Sequence, residues 1–334
     1  MSILTLGIES SCDETAAAVV ADGRVILSEV IASQADFHSR YGGVVPEIAS
    51  RMHVDAIIPC ISQALSEAGV NLTDIDAICV TKGPGLVGAL LVGVSAAKGL
   101  SEVAGLPMIG VGHIESHIAA NYLTFPELEP PFISLIVSGG HTEIVLVEDY
   151  NLFKIIGKTR DDAAGEAIDK LARVIGLGYP GGPKMDIIGQ SGNIHRYSFP
   201  KTIFKDSYDF SFSGIKTHAL NMINQLRMNG QDLDIADFCA SYQSAISDVL
   251  VENSLNACIN LTCYNLCMAG GVSANTFLRN KISERAKEKG VNIYFPPVKL
   301  CTDNASMVAS AGYYSFRNGI RDDLSMNAYP SYSF

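Results

Sequence analysis

The segment Met108-Ile-Gly-Val-Gly-His113-Ile-Glu-Ser-His117-Ile-Ala-Ala120 joins a short apolar strand directly to a helix. The strand pattern ends at Gly112, and the residues that follow have helical spacing. On a helix, His113 and His117 lie one turn apart on one face, so their imidazoles point the same way. Such a pair is typical of a metal site, although two satisfied polar side chains at a helix start are an open alternative.

The order of residues in this segment argues against a zinc protease. Those enzymes use His-Glu-x-x-His, in which the glutamate lies beside the metal as the general base. Here the order is His-x-Glu-x-His, and Glu115 is two residues from each histidine. That spacing predicts that Glu115 points to the opposite side of the helix. Metalloprotease chemistry is therefore not expected from this pair.

The composition describes a well-packed protein with more than one core. The chain has 334 residues, of which 48% are hydrophobic and 18% are charged, a length sufficient for two domains. No basic N-terminal region precedes the first strand pattern, and the longest apolar stretch, residues 86–97, is too short to span a bilayer. Eight cysteines without C-x-x-C spacing predict reduced, mostly buried thiols. We therefore expect a cytoplasmic protein with no membrane partner.

The pattern of strands and helices occurs twice along the chain. The first copy has predicted strands at 3–9, 15–21, 24–32, 77–81 and 108–112, with helices at 47–68 and 88–104. The second has strands at 132–137, 141–147, 153–158, 265–269 and 293–295, with helices at 163–175 and 274–289. Two copies of βββαβαβ predict an α/β fold with two lobes and a central cleft. We place the N-terminal lobe at residues 1–112 plus 305–334 and the C-terminal lobe at 113–304.

Three small-residue turns follow predicted strands, at residues 10–14, 138–142 and 270–275. Glycine in such turns lets backbone N–H groups approach phosphate oxygens, and we expect the second and third turns to face each other across the cleft. The Gly83-Pro-Gly85-Leu-Val-Gly88 run matches a dinucleotide fingerprint. That interpretation requires an acid at the end of the next strand, where this chain has Gly112-His113, so we reject it.

Five acids are candidates for chemistry: Asp13, Glu14, Asp169, Asp186 and Asp303. Asp13 and Glu14 lie in the first predicted turn, where one of them could orient a nucleophile or a metal-bound water. Helix capping explains Asp303 equally well, and acids on turns are often simply solvated.

Charge is distributed unevenly between the two halves of the chain. Residues 1–153 contain 5 Lys and Arg against 18 Asp and Glu, whereas residues 154–334 contain 19 against 17. A polyanion would therefore prefer the second half. Lys281, Arg285 and Lys289 share one face of a predicted helix and could contact RNA phosphates, and a solvated helix with internal ion pairs is the alternative.

Taken together, eight motifs in fixed order resemble the bacterial TsaD family over nearly the whole chain. They are Ile8-Glu-Ser-Ser-Cys-Asp-Glu-Thr15, Gly83-Pro-Gly-Leu-Val-Gly88, His113-x3-His117, Val137-Ser-Gly-Gly-His-Thr142, Gly178-Tyr-Pro-Gly-Gly-Pro183, Phe210-Ser-Phe-Ser-Gly214, Ala269-Gly-Gly-Val-Ser-Ala-Asn275 and Cys301-Thr-Asp-Asn304. The resemblance implies a duplicated ASKHA fold, related to actin, hexokinase and Hsp70-like ATPases. It also implies transfer of threonylcarbamoyl from threonylcarbamoyl-AMP to N6 of the adenosine beside the anticodon, in tRNAs reading codons that begin with A.

The resemblance further implies particular site residues. A divalent metal, Fe2+ first and Zn2+ second, would be held by His113, His117 and Asp303. Donor-binding positions are Ile136, Val137, Ser138, Gly139, Gly140, Asp169, Gly182, Asp186 and Asn275. Asp13 is the catalytic candidate, and a nucleotide (threonylcarbamoyl-AMP, AMP or ATP) would occupy the cleft.

Partners follow from the same resemblance. We expect tRNA, accessory proteins like TsaB and TsaE, and an adenylate supplied by an enzyme like TsaC. Three alternatives remain for testing: a metalloprotease, a small-molecule kinase of the same fold, and a scaffold whose nucleotide site serves only assembly.

Overall fold

The computed structural model describes residues 2–331, which divide into two compact units. Unit 1 comprises the chain up to Pro130, Asp149–Leu152 and the residues from Pro296 onward, and unit 2 comprises Pro131–Glu148 and Phe153–Phe295. These boundaries differ from the predicted ones in three places, because residues 113–130, 149–152 and 296–304 belong to unit 1. The reason is local: the helix that carries both histidines continues directly from a strand of unit 1 and packs against its C-terminal helix.

Each unit contains a five-stranded sheet. The strands within the described residues are β1 (Leu4–Glu9), β2 (Glu14–Ala21), β3 (Val25–Ser33), β4 (Ala77–Gly83), β5 (Met108–Gly112), β6 (Phe132–Val137), β7 (Thr142–Asp149), β8 (Leu152–Lys158), β9 (Asn265–Ala269) and β10 (Asn292–Tyr294). The orders are β3-β2-β1-β4-β5 and β10-β9-β6-β7-β8. β1 runs antiparallel to β2 and parallel to β4, and β6 runs antiparallel to β7 and parallel to β9. The two sheets are thus the same arrangement used twice, which confirms the predicted duplication.

The helices connect and cover these strands. Over residues 2–331 they are α1 (Ala35–Ser39), α2 (Pro46–Ala68), α3 (Val87–Ala104), α4 (His113–Ala119), α5 (Ala164–Val174), α6 (Gly182–Gly189), α7 (Ser213–Met228), α8 (Ile235–Asn260), α9 (Thr276–Lys289), α10 (Val298–Cys301) and α11 (Ala305–Arg317), with short 3-10 turns at Leu72–Asp74 and Gly271–Ala274. Helix α6 lies in the glycine- and proline-rich stretch at residues 179–208, which the sequence predicts to be an insertion. Helix α3 is long and apolar enough to cross a membrane by length and composition alone, and here it packs against α2 and β4.

Successive side chains of each strand point to opposite faces of the first sheet, so apolar residues form a core on each face. Leu6 and Ile8 of β1 are fully buried in the core formed with α2 and α3. On the opposite face, small residues let α11 approach closely: Ala16 and Ala18 pack on Ala305, and a Cβ on Gly7 would collide with the Ala305 carbonyl. This close packing fixes the start of α11 against the sheet.

Two side chains hold the N-terminus of α11. Asn304 Oδ1 accepts a hydrogen bond from the Met307 amide at 2.9 Å. The Glu29 carboxylate accepts from the Ala305 and Ser306 amides at 3.0 and 2.9 Å. Burial raises the pKa of Glu29, and the carboxylate complements the positive end of the helix dipole. The aspartate just before this helix therefore has a well-defined position.

The C-terminal segment covers the exposed edge of the first sheet. Asp322 forms an isolated bridge with Met108, and its Oδ2 accepts a hydrogen bond from the Gly110 amide at 2.8 Å. The Tyr329 amide donates to the Lys82 carbonyl at 2.7 Å, and the Lys82 ammonium lies 4.0 Å from Asp322. Lys82 therefore anchors this segment through its carbonyl and its ammonium group.

In unit 2, Asp161 organises the turn that leads into α7. Its carboxylate accepts hydrogen bonds from the hydroxyl groups of Ser211 and Ser213 at 2.5 and 2.6 Å and from the Phe212 amide at 2.8 Å. Burial raises the pKa of Asp161, but these hydrogen bonds outweigh it, so the pKa lies below its usual value. The Phe210-Ser-Phe-Ser-Gly214 motif thus has a structural use.

We expect Asp161→Asn to lower the melting temperature near neutral pH and to leave it nearly unchanged in acid. A carboxylate with a depressed folded-state pKa stabilises the fold above its unfolded pKa of about 4, and that contribution disappears as the pH falls through the folded value. Thermal melts across a pH series measure the difference, with Asp206→Asn in the exposed neighbouring loop as the control. An equal difference at every pH would contradict the assignment.

Candidate functional site

The histidines of α4 and the aspartate before α11 come together in unit 1. The Nε2 atoms of His113 and His117 lie 3.5 and 3.2 Å from Asp303 Oδ1. One possible ligand atom from each of the three residues lies within 4.8 Å of the other two, and both histidines are buried. The structure therefore brings together three residues that are up to 190 positions apart in the sequence.

The donor atoms of this group fit a divalent first-row cation. Two imidazole nitrogens and one carboxylate oxygen suit Fe2+ or Zn2+, and no thiol belongs to the set. The Glu115 carboxylate lies back over Gly112 at the start of α4, where a Cβ on that glycine would collide with it. This position is outside the group of three ligand atoms, as the His-x-Glu-x-His order predicts.

Buried charges surround His113. Burial lowers the pKa of His113, but the carboxylates of Asp303 and Glu9 raise it to about 9. Burial likewise raises the pKa of Glu9, yet the neighbouring His113 brings it below its usual value. The site consequently holds a proton on His113 near neutral pH, and a cation bound there would take that proton's place.

Asp13 lies in the turn between β1 and β2, and Glu14 is the first residue of β2, in the same unit. Burial raises the pKa of Glu14 to about 9, and the carboxylates of Asp303 and Asp13 contribute in the same direction. Glu14 is therefore a neutral acid near neutral pH, hydrogen-bonded to Asp13. Asp13 itself is buried. Two acidic side chains thus lie next to each other near Asp303.

The two glycine turns of unit 2 are neighbours. The first follows β6 and the second follows β9, and these strands run parallel and adjacent, so both turns leave the same edge of the sheet. A Cβ on Gly270, whose φ is +82°, would lie 2.5 Å from the Val137 carbonyl oxygen. The prediction that the turns face each other across a cleft is therefore wrong, because both belong to one sheet.

The first of these turns leaves space beside its backbone. A Cβ built on Gly139 or Gly140 meets no atom within 4 Å. The turn is closed by the Ser138 amide, which donates to the His141 carbonyl at 2.8 Å, and by the His141 amide, which donates to Ser138 Oγ at 3.0 Å. Ile136 and Val137 are fully buried in β6, so only their backbone could contact a ligand.

The remaining predicted donor-binding residues also lie in unit 2. Asp169 Oδ1 accepts hydrogen bonds from the amides of Gly181 and Gly182 at 2.8 and 3.0 Å, and burial raises its pKa. Asp186 Oδ2 accepts from the amide and hydroxyl of Thr276 at 3.0 and 2.8 Å. Its Oδ1 is buried and has no hydrogen-bond partner within residues 2–331.

Asn275 combines two structural contacts. Its Oδ1 accepts from the Leu278 amide at 3.0 Å and so caps α9, and its amide nitrogen donates to Gln243 Oε1 at 2.6 Å. Gln243 in turn donates to the Met185 carbonyl at 2.9 Å. Gln243 was not among the residues predicted from the sequence. The feature that distinguishes it is a polar side chain on the buried face of a long helix. It fixes the orientation of Asn275.

The basic stripe of α9 is paired with acids. Lys281 donates to Asp248 at 2.5 Å and to Ser244 Oγ at 2.8 Å, and Arg285 lies 3.6 Å from Glu288. A cavity of about 490 Å³ beside this stripe has four basic and four acidic residues in its lining. These contacts support the interpretation of an ion-paired helix over that of an RNA contact surface.

Sequence comparisons connect this chain with one family. A family model described as TsaD, tRNA N6-adenosine threonylcarbamoyltransferase, matches residues 25–310. A relative of that name from Clostridium botulinum (strain 657 / Type Ba4) is 53% identical over 331 residues, which are 99% of this chain and 97% of the relative. Another from Clostridioides difficile (strain 630) is 51% identical over 330 residues, which are 98% of each chain.

Solved structures show the fold. Full-length HypF in its phosphate- and nucleotide-bound form matches with a TM-score of 0.63 at 14% identity, over 95% of this chain and 46% of HypF. A ROK family glucokinase from Streptomyces griseus, in complex with glucose and AMPPNP, matches with a TM-score of 0.52 at 13% identity, over 92% and 98% of the two chains. At such identities the likeness concerns the duplicated α/β architecture of the ASKHA class alone, which confirms the predicted fold class.

Proposed function

Because the chain belongs to the TsaD family of tRNA N6-adenosine threonylcarbamoyltransferases, we propose that it transfers threonylcarbamoyl from threonylcarbamoyl-AMP to tRNA. The acceptor is N6 of the adenosine beside the anticodon, in tRNAs reading codons that begin with A, and AMP is released. The convergence of His113 Nε2, His117 Nε2 and Asp303 Oδ1 is the observation that carries this proposal. These three donor atoms suit a divalent metal, which the resemblance to the family implies.

We propose that His113, His117 and Asp303 hold one divalent metal, Fe2+ in the first place and Zn2+ in the second. Such a metal supplies Lewis-acid polarisation of a carbonyl oxygen when it is bound. The three side chains fit this task because their donor atoms already converge and because the packing of α4 and α11 fixes them. The proposed metal site is supported by the three donor atoms together and not by any single residue.

The donor is proposed to bind unit 2. The turn at residues 138–140 presents backbone beside open space, which suits the phosphate of an adenylate. Asp186 Oδ1 is a buried acceptor for a ribose or threonine hydroxyl, and Asp169 holds the backbone at Gly182 beside it. Asn275, fixed by Gln243, and the backbone of Ile136 and Val137 complete the proposed contacts.

The chemical step needs a proton acceptor. The N6 amine attacks the carbamoyl carbon, the bond between that carbon and the phosphate oxygen breaks, and AMP leaves. N6 loses one proton, and we assign its removal to the carboxyl group of the buried Asp13, which lies beside Glu14. The partners proposed are tRNA, accessory proteins like TsaB and TsaE, and an adenylate source like TsaC, in the cytoplasm.

Mass analysis of tRNA nucleosides tests the function. The reaction contains the protein, its accessory proteins, threonine, bicarbonate, ATP and tRNA, and we expect threonylcarbamoyl-modified adenosine to form. A tRNA with guanosine at the acceptor position is the matched control and should give none. Asp13→Asn should lower the rate roughly 100-fold or more. ATP hydrolysis or peptide cleavage without the modified nucleoside would favour the kinase, scaffold or protease alternatives.

A further inference from the structure

We propose that Glu9 is a positioning residue of the metal centre, which holds His113 with its proton on Nδ1 so that Nε2 is directed at the cation. This inference rests on the proposed metal site of His113, His117 and Asp303. Glu9 itself was absent from the candidates that the sequence indicated. The sequence feature that distinguishes Glu9 is an acidic residue at the end of the apolar strand Leu4–Glu9.

Three contacts fix the Glu9 carboxylate. Its Oε1 accepts a hydrogen bond from the Ser11 amide at 2.5 Å, and its Oε2 accepts from the Thr81 hydroxyl at 2.6 Å. The same Oε2 lies 3.3 Å from His113 Nδ1. The side chain is completely buried at the end of β1. A carboxylate held from both oxygens has little freedom, so it can define the orientation of the ring that it contacts.

The contact is on the side of the ring away from the ligand atoms. His113 Nε2 lies 3.5 Å from Asp303 Oδ1, whereas Glu9 meets the other nitrogen, Nδ1. Glu9 is therefore not a fourth member of the ligand set. A carboxylate facing Nδ1 keeps the proton there and leaves the Nε2 lone pair for a metal, which is the usual carboxylate–histidine–metal relation.

The neighbouring histidine lacks such a partner. His117 Nδ1 is buried and has no hydrogen-bond partner within residues 2–331. A completely buried carboxylate is costly, and an apolar residue would fill the same place without that cost. Retaining a carboxylate here is explained by the cation, whose positive charge Glu9 and Asp303 together offset.

Ser11 is the one competing explanation for the orientation of His113. Its Oγ lies 3.2 Å from the same Nδ1. A hydroxyl can donate as well as accept, so it does not by itself select which nitrogen carries the proton. A carboxylate can only accept a hydrogen bond, so it does select the ring nitrogen that carries the proton. The two residues therefore predict different outcomes when each is removed.

Metal affinity of the purified full-length chain tests the proposal. Zn2+ affinity is measured by chelator competition for the unmodified protein and for Glu9→Ala, Glu9→Gln, Ser11→Ala and Thr81→Val. We expect a loss of roughly 10- to 100-fold for Glu9→Ala and a smaller loss for Glu9→Gln, whose amide oxygen can still accept from Nδ1. Ser11→Ala and Thr81→Val should change affinity less than Glu9→Ala does. Equal affinity in the unmodified protein and folded Glu9→Ala would overturn the proposal.

A second measurement is made on the protein with Glu9 in place. Long-range 1H–15N spectra of the Zn2+-loaded, unmodified protein report the protonation of each ring nitrogen, with His113→Ala identifying the signals. We expect His113 to carry its proton on Nδ1 and the metal on Nε2. Metal on Nδ1 would overturn the role of Glu9 while leaving the metal site standing. Failure of the unmodified protein to bind Zn2+ or Fe2+ would overturn the site itself, and the inference with it.

Discussion

Replacing both His113 and His117 by alanine should abolish metal binding and lower the rate of threonylcarbamoyl transfer by about 100-fold or more. Two of the three convergent donor atoms disappear, and Asp303 alone cannot hold a divalent cation against water. The two histidines lie on the seven-residue helix α4, which belongs to neither sheet, so we expect the change to leave both sheets in place. Metal content by elemental analysis and the tRNA nucleoside assay measure the two effects.

Glu115→Gln is the matched control for this double variant. Glu115 belongs to the same helix, between the two histidines, but its carboxylate lies over Gly112 and outside the ligand group. Its replacement should leave metal content within about twofold of the unmodified protein, as expected for a residue that is not a ligand. Circular dichroism checks that both variants are folded. Full metal occupancy in the folded double variant would sink the assignment of the site.

Gly139→Val should weaken binding of AMP and ATP by roughly 10- to 100-fold, a loss of about 1.4 to 2.8 kcal/mol. A Cβ at this position meets no atom of the protein, so the fold has room for the larger side chain. The space that valine would fill is the space beside the turn, where the adenylate is proposed to lie. Calorimetric titration with AMP measures the change directly, and Gly139→Ala should give a smaller loss in the same direction.

Gly214→Ala provides the control in the same unit. Gly214 lies on α7, and its added Cβ would make only an ordinary contact, 3.9 Å from the Thr202 hydroxyl. We expect AMP affinity in this variant to equal that of the unmodified protein. If Gly139→Val also binds AMP normally while remaining folded, the turn at residues 138–140 is not the phosphate site.

The sequence predicted the local elements well because their signals are local. Strands such as Leu4–Glu9 and Phe132–Val137 are continuous apolar runs that end in small residues, and α2 begins at a proline, Pro46, which favours the first turn of a helix. The pair of histidines on α4 followed from helical spacing alone. The repeated βββαβαβ pattern predicted a duplicated fold with two lobes, and the two sheets have the same strand arrangement.

Long-range proximity could not be predicted in this way. Asp303 is 186 residues beyond His117, and its place beside the histidines came only from the family resemblance. The two glycine turns were expected to face each other because periodicity does not show which strands are neighbours, whereas β6 and β9 pair directly. Glu9 was missed because an acid at the end of a strand looks like the start of a solvated turn.

The discontinuity of unit 1 has a consequence for how the protein is made. Its first sheet is complete in sequence by Gly112, but one face stays uncovered until α11 has been synthesised. At about 5 to 20 residues per second, the ribosome needs roughly 10 to 40 s to pass from His117 to Asp303. During that interval the nascent chain exposes an apolar sheet face and an incomplete metal site. We therefore expect loading of the metal to follow release of the chain, and the unfinished unit 1 to be a substrate for chaperones.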